Sequence, residues 1–249
     1  MNSLLEYAVD AHGGLARWRR LHAFVADVSV QGALWQLKGR PDVLAETRVV
    51  TSLCRQSLEI DLKCQDKTIL FTPTKVTKES ADGRTIERRD NPRASFVEQT
   101  TPWDDIHVGY FSGYAQWQYF TAPFLYTYPG FEVEELQPWQ EADETWRVLK
   151  IVFPSYIAAH TRVQYAYFGS DGLLRRHQYT VDVLGGATGV NYASGYQEVS
   201  GIMVPAERRV FAYDDDLRKV SEPLLISIDI SNAQFIESGS FSVFESKPN

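Results

Sequence analysis

Apolar and polar residues alternate with a period of two along many short stretches of this chain, and this pattern limits the fold more than any other feature. In the first stretch, Phe24, Val28 and Val30 share one side of an extended chain, while Asp27 and Ser29 share the other. Such alternation is typical of a strand with one buried face. It recurs at Val43, Ala45, Thr47 and Val49, at Leu58, Ile60 and Leu62, at Trp146, Val148 and Val152, and at Leu224, Ile226, Ile228 and Ile230.

Turn sequences separate these strands and predict how they are joined. ADGR at 81–84 and GSDG at 169–172 combine Asp with Gly, which tolerate the backbone angles of hairpin turns. Strands joined in this way form an antiparallel meander. Residues 1–21 have helical apolar spacing instead, interrupted near the glycines at 13–14, and Asn2 or Ser3 can cap this N-terminal helix.

We therefore predict one α+β domain over residues 1–249, mainly antiparallel β. In this fold a strongly curved meander, or half-barrel, wraps around the N-terminal helix and inserted helices. A chain of 249 residues can bury a stable core without a metal ion or disulfide bonds. The two cysteines, Cys54 and Cys64, are accordingly predicted to be reduced and partly buried.

Charge and hydropathy exclude several classes of partner. The formal net charge is −7 and no cluster of basic residues is longer than a pair, which argues against nucleic acid and anionic membrane surfaces. No apolar run reaches the length of a membrane-spanning helix. The N-terminus lacks a basic segment followed by an apolar run, so we expect a cytoplasmic protein.

A resemblance to known proteins rests on six phrases of the sequence. These are AHGGLARW (11–18), ALWQLKG (33–39), DNPRASF (90–96), PWDDIH (102–107), GLLRRHQY (172–179) and VPAERRV (204–210). Over nearly its whole length the chain resembles a family of uncharacterised bacterial proteins that share these phrases. At fold level the predicted architecture is similar to the lipoprotein-carrier half-barrel of the LolA type, in which a curved sheet wraps around helices and holds an acyl chain. That resemblance implies a hydrophobic cavity.

An aromatic segment at 102–131 interrupts the strand pattern, and we predict that its first part, 102–125, forms inserted helices. Five of its side chains recur every three or four residues and would form one stripe along a helix. Two interpretations stay open for this stripe, a packed core and the wall of a ligand pocket. The five residues are Trp103, His107, Tyr110, Tyr114 and Trp117.

The strand predicted at 173–183 supplies the second part of a candidate site. Strict alternation places Arg175, His177 and Tyr179 on the same face as two valines, which points all three polar side chains inward. Buried polar groups need partners, so they either satisfy one another or anchor the polar head of a ligand, such as a carboxylate held by Arg175.

Two functions are compatible with this combination. The first is a hydrophobic-ligand-binding protein without a cofactor, which holds a small or chain-like molecule against the stripe, with His107, Arg175, His177 and Tyr179 as polar anchors. The second is a cofactor-independent enzyme that uses His107 or His177 as acid or base and Tyr179 as a hydrogen-bond donor. His107, His160 and His177 lack the spacing of a zinc motif, so no metal site is predicted.

Overall fold

The computed structural model describes residues 2–97 and 102–237. Four α-helices occur in these ranges. Two 3-10 helices, Pro92–Ser95 and Phe124–Thr127, flank the longest of them, and a third spans Asp182–Leu184. The α-helices are α1 (Ser3–Ala11), α2 (Leu15–Trp18), α3 (Ala33–Leu37) and α4 (Asp105–Thr121).

Fourteen strands account for most of the remaining described chain. In chain order they are β1 (Leu21–Gln31), β2 (Thr47–Ser52), β3 (Leu58–Leu62), β4 (Lys67–Thr72), β5 (Lys75–Ser80), β6 (Thr85–Asp90), β7 (Glu132–Glu141), β8 (Glu144–Val152), β9 (Val163–Phe168), β10 (Leu174–Val181), β11 (Ala187–Val199), β12 (Ile202–Tyr213), β13 (Lys219–Val220) and β14 (Ile226–Glu237).

The strands form one antiparallel sheet built from two meanders. Strands β1 to β6 make the first meander and β7 to β12 the second, and β14 lies between β1 and β12 and joins them. Strands β6 and β7 are the edges, so the described sheet stays open rather than closing into a barrel. The predicted class, an antiparallel half-barrel around helices, is confirmed.

Helix α4 is the central packing element of the half-barrel, and all 17 of its residues are buried. A helix surrounded in this way cannot be recognised from a one-sided apolar pattern. Two glycines let it lie close to β4: a Cβ built on Gly109 would meet the Ile69 side chain at 2.4 Å, and one on Gly113 would meet the Phe71 ring at 2.2 Å. Larger residues at these positions would push the helix away from the sheet.

The N-terminal segment covers part of the same core. Asn2 caps α1, because its side-chain oxygen accepts hydrogen bonds from the backbone N–H groups of Leu4 and Leu5. The helix ends at Ala11, where His12 follows as the C-cap, and a separate short helix, α2, precedes β1. The N-terminal residues predicted as one interrupted helix are therefore two helices and the start of a strand.

Two details of the sequence prediction are wrong. Val43 and Ala45 precede β2 instead of lying in it, because the chain turns at Asp42, which has a φ of 58°. Cys54 and Cys64 are both exposed free thiols rather than partly buried residues.

Candidate functional site: an apolar cavity beside a buried histidine–tyrosine cluster

A cavity of about 350 Å³ lies between α3, α4 and the inner face of the second meander. Leu34 and Leu37 of α3 form one side, Phe111 of α4 forms another, and Val210 of β12 and Ile226 of β14 belong to the sheet. Its volume is in the range of small-molecule sites, and its walls are mainly apolar, as such sites usually are.

One end of this cavity is polar, because His160 and Tyr179 also line it. Both belong to a set of polar side chains that are all 5% exposed or less. We call this set the histidine–tyrosine cluster; it consists of Tyr114, Gln118, Tyr119, His160, Gln164, His177 and Tyr179.

A chain of hydrogen bonds connects α4 to β10 through this cluster. The hydroxyl groups of Tyr119 and Tyr179 are 2.7 Å apart, and the Tyr119 hydroxyl is also 3.0 Å from Nε2 of His160. Nδ1 of His160 lies 3.2 Å from the Tyr114 hydroxyl, and the His160 ring stacks on the Tyr179 ring at 3.9 Å. Two assignments satisfy every contact. In one, Tyr179 donates to Tyr119, Tyr119 donates to Nε2 of His160, and Nδ1–H donates to Tyr114; in the other, which uses the second tautomer of His160, all three bonds run in the opposite direction.

A second branch of the cluster holds His177. Gln118 Nε2 donates to Gln164 Oε1 at 2.6 Å and lies 3.0 Å from His177 Nε2. Gln164 in turn donates to the carbonyl oxygen of Thr161 at 2.8 Å. Nε2 of His177 therefore accepts a hydrogen bond, as an uncharged imidazole does.

Burial keeps both histidines neutral. Burial, with a smaller effect of the Arg208 charge, lowers the pKa of His177 from 6.5 to about 3. Burial also lowers the pKa of His160 well below its usual value, and His177 and Arg93 add to this. The pKa of Tyr179 is raised well above 10, chiefly by burial. None of these groups exchanges a proton readily near neutral pH, so they are poorly suited to acid–base catalysis there.

The structure places Arg175 differently from the sequence prediction. A β-bulge occurs between Leu174 and Arg176 where β10 pairs with β9, so strict alternation fails at this point. Arg175 instead forms an ion pair with Asp171 at 2.5 Å, in the turn that precedes the strand. Arg175 is thus separated from the buried His177, whereas Tyr179 belongs to the cluster as the alternation indicated.

The first half of the aromatic stripe packs within the protein. Trp103 precedes α4 and contacts the rings of Trp35 and Phe111, with centroids 6.1 and 5.0 Å away. His107 forms a capping box with Asp104: its backbone N–H donates to the Asp104 carboxylate at 2.8 Å, and its Nδ1 lies 3.3 Å from the Asp104 backbone nitrogen. This arrangement gives His107 a structural role at the start of α4.

The second half of the stripe is divided among three places. Tyr110 packs edge-on against Phe71, with centroids 5.8 Å apart, and Tyr114 joins the cluster. Trp117 lines a separate, larger cleft of about 700 Å³ near the 53–57 loop, where its Nε1 donates to the carbonyl oxygens of Ser52 and Arg55. Within the described residues, the stripe therefore does not form one continuous wall of either cavity.

Sequence reasoning did not single out Gln118, Tyr119, Gln164 or Arg208. Arg208 had a detectable signal, because strict alternation from Val204 to Val210 on β12 places it on the inner face. The two glutamines had none, since a glutamine in a buried helix or strand looks like a surface residue in the sequence.

Neither metal ligands nor a membrane-spanning helix is found in the part of the chain that the structure describes. Over residues 2–97 and 102–237, no three His, Cys, Asp or Glu side chains converge as a metal site. No helix in these ranges has the length and apolarity needed to cross a bilayer.

Comparison with solved structures supports the fold-level resemblance. A LolA superfamily protein from Nitrosomonas europaea matches with a TM-score of 0.54 at 12% identity, over 94% of this chain and 93% of that chain. A domain named for outer membrane lipoprotein sorting, from Vibrio parahaemolyticus, gives a TM-score of 0.53 at 10% identity, over 97% and 94%. A DUF1329 family protein from Desulfovibrio piger gives 0.51 at 10% identity, over 94% and 92%.

These matches show that the chain has a LolA-like antiparallel half-barrel fold, as the sequence predicted. At identities this low they show a shared fold alone. No protein-family model matches the sequence, and no curated protein matches it.

Proposed function

We propose that this protein binds a small or chain-like hydrophobic molecule in the cavity between α3, α4 and the sheet. The observation that carries the proposal is the cavity itself: about 350 Å³, walled by side chains such as Leu34, Phe111 and Val210, with a polar end at His160 and Tyr179. An apolar concavity with few polar groups is the usual form of a hydrophobic-ligand site. The LolA-like fold adds support, since a fold neighbour is named for lipoprotein sorting.

The enzymatic alternative has weaker support. A general base works best with a pKa near the working pH, and burial holds the pKa of His177 at about 3. The expectations of a cytoplasmic location and of no nucleic-acid partner stay predictions from the sequence.

Displacement of a fluorescent polyene fatty acid by dodecanol tests the proposal. The wild type should bind the probe saturably and release it to dodecanol, while Val210→Trp, which fills the cavity, should weaken binding about tenfold or more. Ala187→Trp blocks the same cavity from a half-buried position and serves if Val210→Trp does not fold. Val220→Trp is the matched control, since Val220 is 41% exposed on β13.

Probe binding that Val210→Trp and Ala187→Trp leave unchanged would place the ligand elsewhere and refute the proposal. An absence of saturable binding in the wild type, for both the probe and dodecanol, would refute it as well.

A further inference from the structure

Arg208 is a buried cation without a carboxylate partner among the described residues. Its side chain lies on the inner face of β12 and is 1% exposed. Nη2 donates to the carbonyl oxygen of Tyr119 at 2.9 Å, and the guanidinium lies 4.9 Å from the centre of the Tyr119 ring. Nε and Nη1 have no hydrogen-bond partner in the described structure. Burial of a charge normally requires that all of its donors be satisfied.

Part of this arrangement has a structural explanation. Tyr119 is in the last turn of α4, where backbone carbonyl groups lack partners within the helix, and a cation is favourable there. That role uses Nη2 alone. It leaves the two donors on the other sides of the guanidinium unexplained.

Other unsatisfied polar atoms lie in the same region. The Tyr126 hydroxyl is buried without a partner, and Tyr126 is close enough to Arg208 for the guanidinium charge to act on it. Gln118 Oε1, next to Tyr119 in sequence, also lacks a partner. Two N–H donors of a cation together with a free hydroxyl match the needs of one anionic group with several acceptor oxygens.

The apolar cavity ends close to this group. Val210, which lines the cavity, and Arg208 are successive inward residues of β12, so their Cα atoms are roughly 7 Å apart. Tyr179 also lines the cavity, and its hydroxyl lies 2.7 Å from that of Tyr119. The Arg208 guanidinium in turn lies over the Tyr119 ring, 4.9 Å from its centre. Arg208 therefore adjoins the cavity wall in two ways, along β12 through Val210 and through the Tyr119–Tyr179 pair.

We propose that the ligand is an acidic amphiphile, such as a long-chain carboxylic acid, whose chain fills the cavity and whose carboxylate pairs with Arg208. Nε and Nη1 of Arg208 would donate to the carboxylate, and the Tyr126 hydroxyl would donate to it as well. This inference rests on the proposed function and adds the class and orientation of the ligand.

A second cation allows the orientation to be tested. Lys38 also lines the cavity, at the end formed by α3, and its Nζ lies 5.5 Å from the centre of the Trp103 ring. A carboxylate at that end would depend on Lys38, whereas a carboxylate at the inner end depends on Arg208. The two orientations therefore predict opposite sensitivities to substitution.

The experiment compares dodecanoic acid, dodecanol and methyl dodecanoate as ligands at a pH where the free acid is ionised. We expect the wild type to prefer the acid over the alcohol and ester about tenfold or more. Arg208→Gln should lower binding of the acid to about the level of the alcohol and so remove this preference. Arg209→Gln, which alters the neighbouring outward residue that pairs with Asp229, is the matched control and should retain the preference.

Each outcome separates this inference from the proposed function. Equal binding of acid and alcohol in the wild type would overturn the inference and leave the proposed function standing. Water would then be the partner of the free Arg208 donors. Loss of the preference in Lys38→Met but not in Arg208→Gln would also overturn it, because the head group would then lie at the α3 end. Binding of none of the three compounds would refute the proposed function itself.

Discussion

The hydroxyl groups of Tyr119 and Tyr179 lie 2.7 Å apart and join the central helix α4 to strand β10. Tyr119 occupies the middle of a chain, because its hydroxyl also meets Nε2 of His160 at 3.0 Å. Tyr179 occupies the end of that chain and faces the apolar cavity. The pair thus connects α4 to β10 and adjoins the polar end of the cavity.

The position of each tyrosine in this chain of hydrogen bonds predicts that removing the two hydroxyl groups lowers the unfolding free energy by unequal amounts. Tyr119→Phe leaves both Tyr179 and Nε2 of His160 without a partner, whereas Tyr179→Phe leaves the Tyr119–His160 bond in place. We expect a loss of about 2–3 kcal/mol in unfolding free energy for Tyr119→Phe and about 1 kcal/mol for Tyr179→Phe. Urea denaturation measures both, with Tyr165→Phe on the outer face as a control. The reverse order would contradict the central position of Tyr119 among these hydrogen bonds.

The buried histidines predict that stability falls on the acid side of neutrality. Burial lowers the pKa of His177 to about 3 and that of His12 to about 4, from 6.5. Below pH 6.5 the unfolded chain therefore takes up protons that the folded protein does not, so unfolding becomes easier as the pH falls toward these lowered values. Each such histidine contributes a slope of about 1.4 kcal/mol per pH unit.

His177→Gln should reduce this slope by about 1.4 kcal/mol per pH unit, whatever it does to absolute stability. His12→Gln should act in the same direction. Urea unfolding across the mildly acidic range gives the slopes. An unchanged slope in His177→Gln would mean that this histidine is already charged in the folded protein.

The contact between α4 and β4 predicts that Gly113 tolerates no side chain. A Cβ there would lie 2.2 Å from the Phe71 ring, so Gly113→Ala should cost about 1–3 kcal/mol despite the better helix propensity of alanine. Ser112→Ala is the matched control on the same helix. Since the Ser112 hydroxyl is buried without a partner, its removal should be neutral or stabilising. A stable Gly113→Ala protein would show that the helix lies farther from the sheet.

The unsatisfied N–H donors of Arg208 predict that removing this buried cation increases the stability of the protein. In protein without a ligand, Arg208→Met should raise the unfolding free energy by about 1 kcal/mol or more, because it abolishes the cost of burying the charge. Differential scanning calorimetry would show the increase as a higher Tm. A clear loss of stability would mean that the bond to the Tyr119 carbonyl outweighs that cost.

Much of the fold follows from local patterns in the sequence. Alternation identified β1, β3 and β8, and turn residues at 81–84 and 169–172 lie where hairpins form. The joining of the two meanders by β14 could not be predicted, because pairing between the ends of the chain depends on long-range contacts.

The site was less accessible to sequence reasoning for two physical reasons. The bulge before Arg176 shifts the alternation, so that Arg175 could not be placed by counting. Helix α4 is buried on every side, so its aromatic stripe carried no information on which residues line a cavity and which pack in the core. His177 and Tyr179 follow the bulge and keep the inward position that alternation gives.

Native mass spectrometry of the protein titrated with dodecanol tests whether the cavity between α3, α4 and the sheet binds a hydrophobic molecule. We expect a single saturable adduct per chain in the wild type and in Val220→Trp, and its loss in Val210→Trp. Absence of a saturable adduct in the wild type, or one that persists unchanged in Val210→Trp, would contradict the assignment of this cavity as the ligand site.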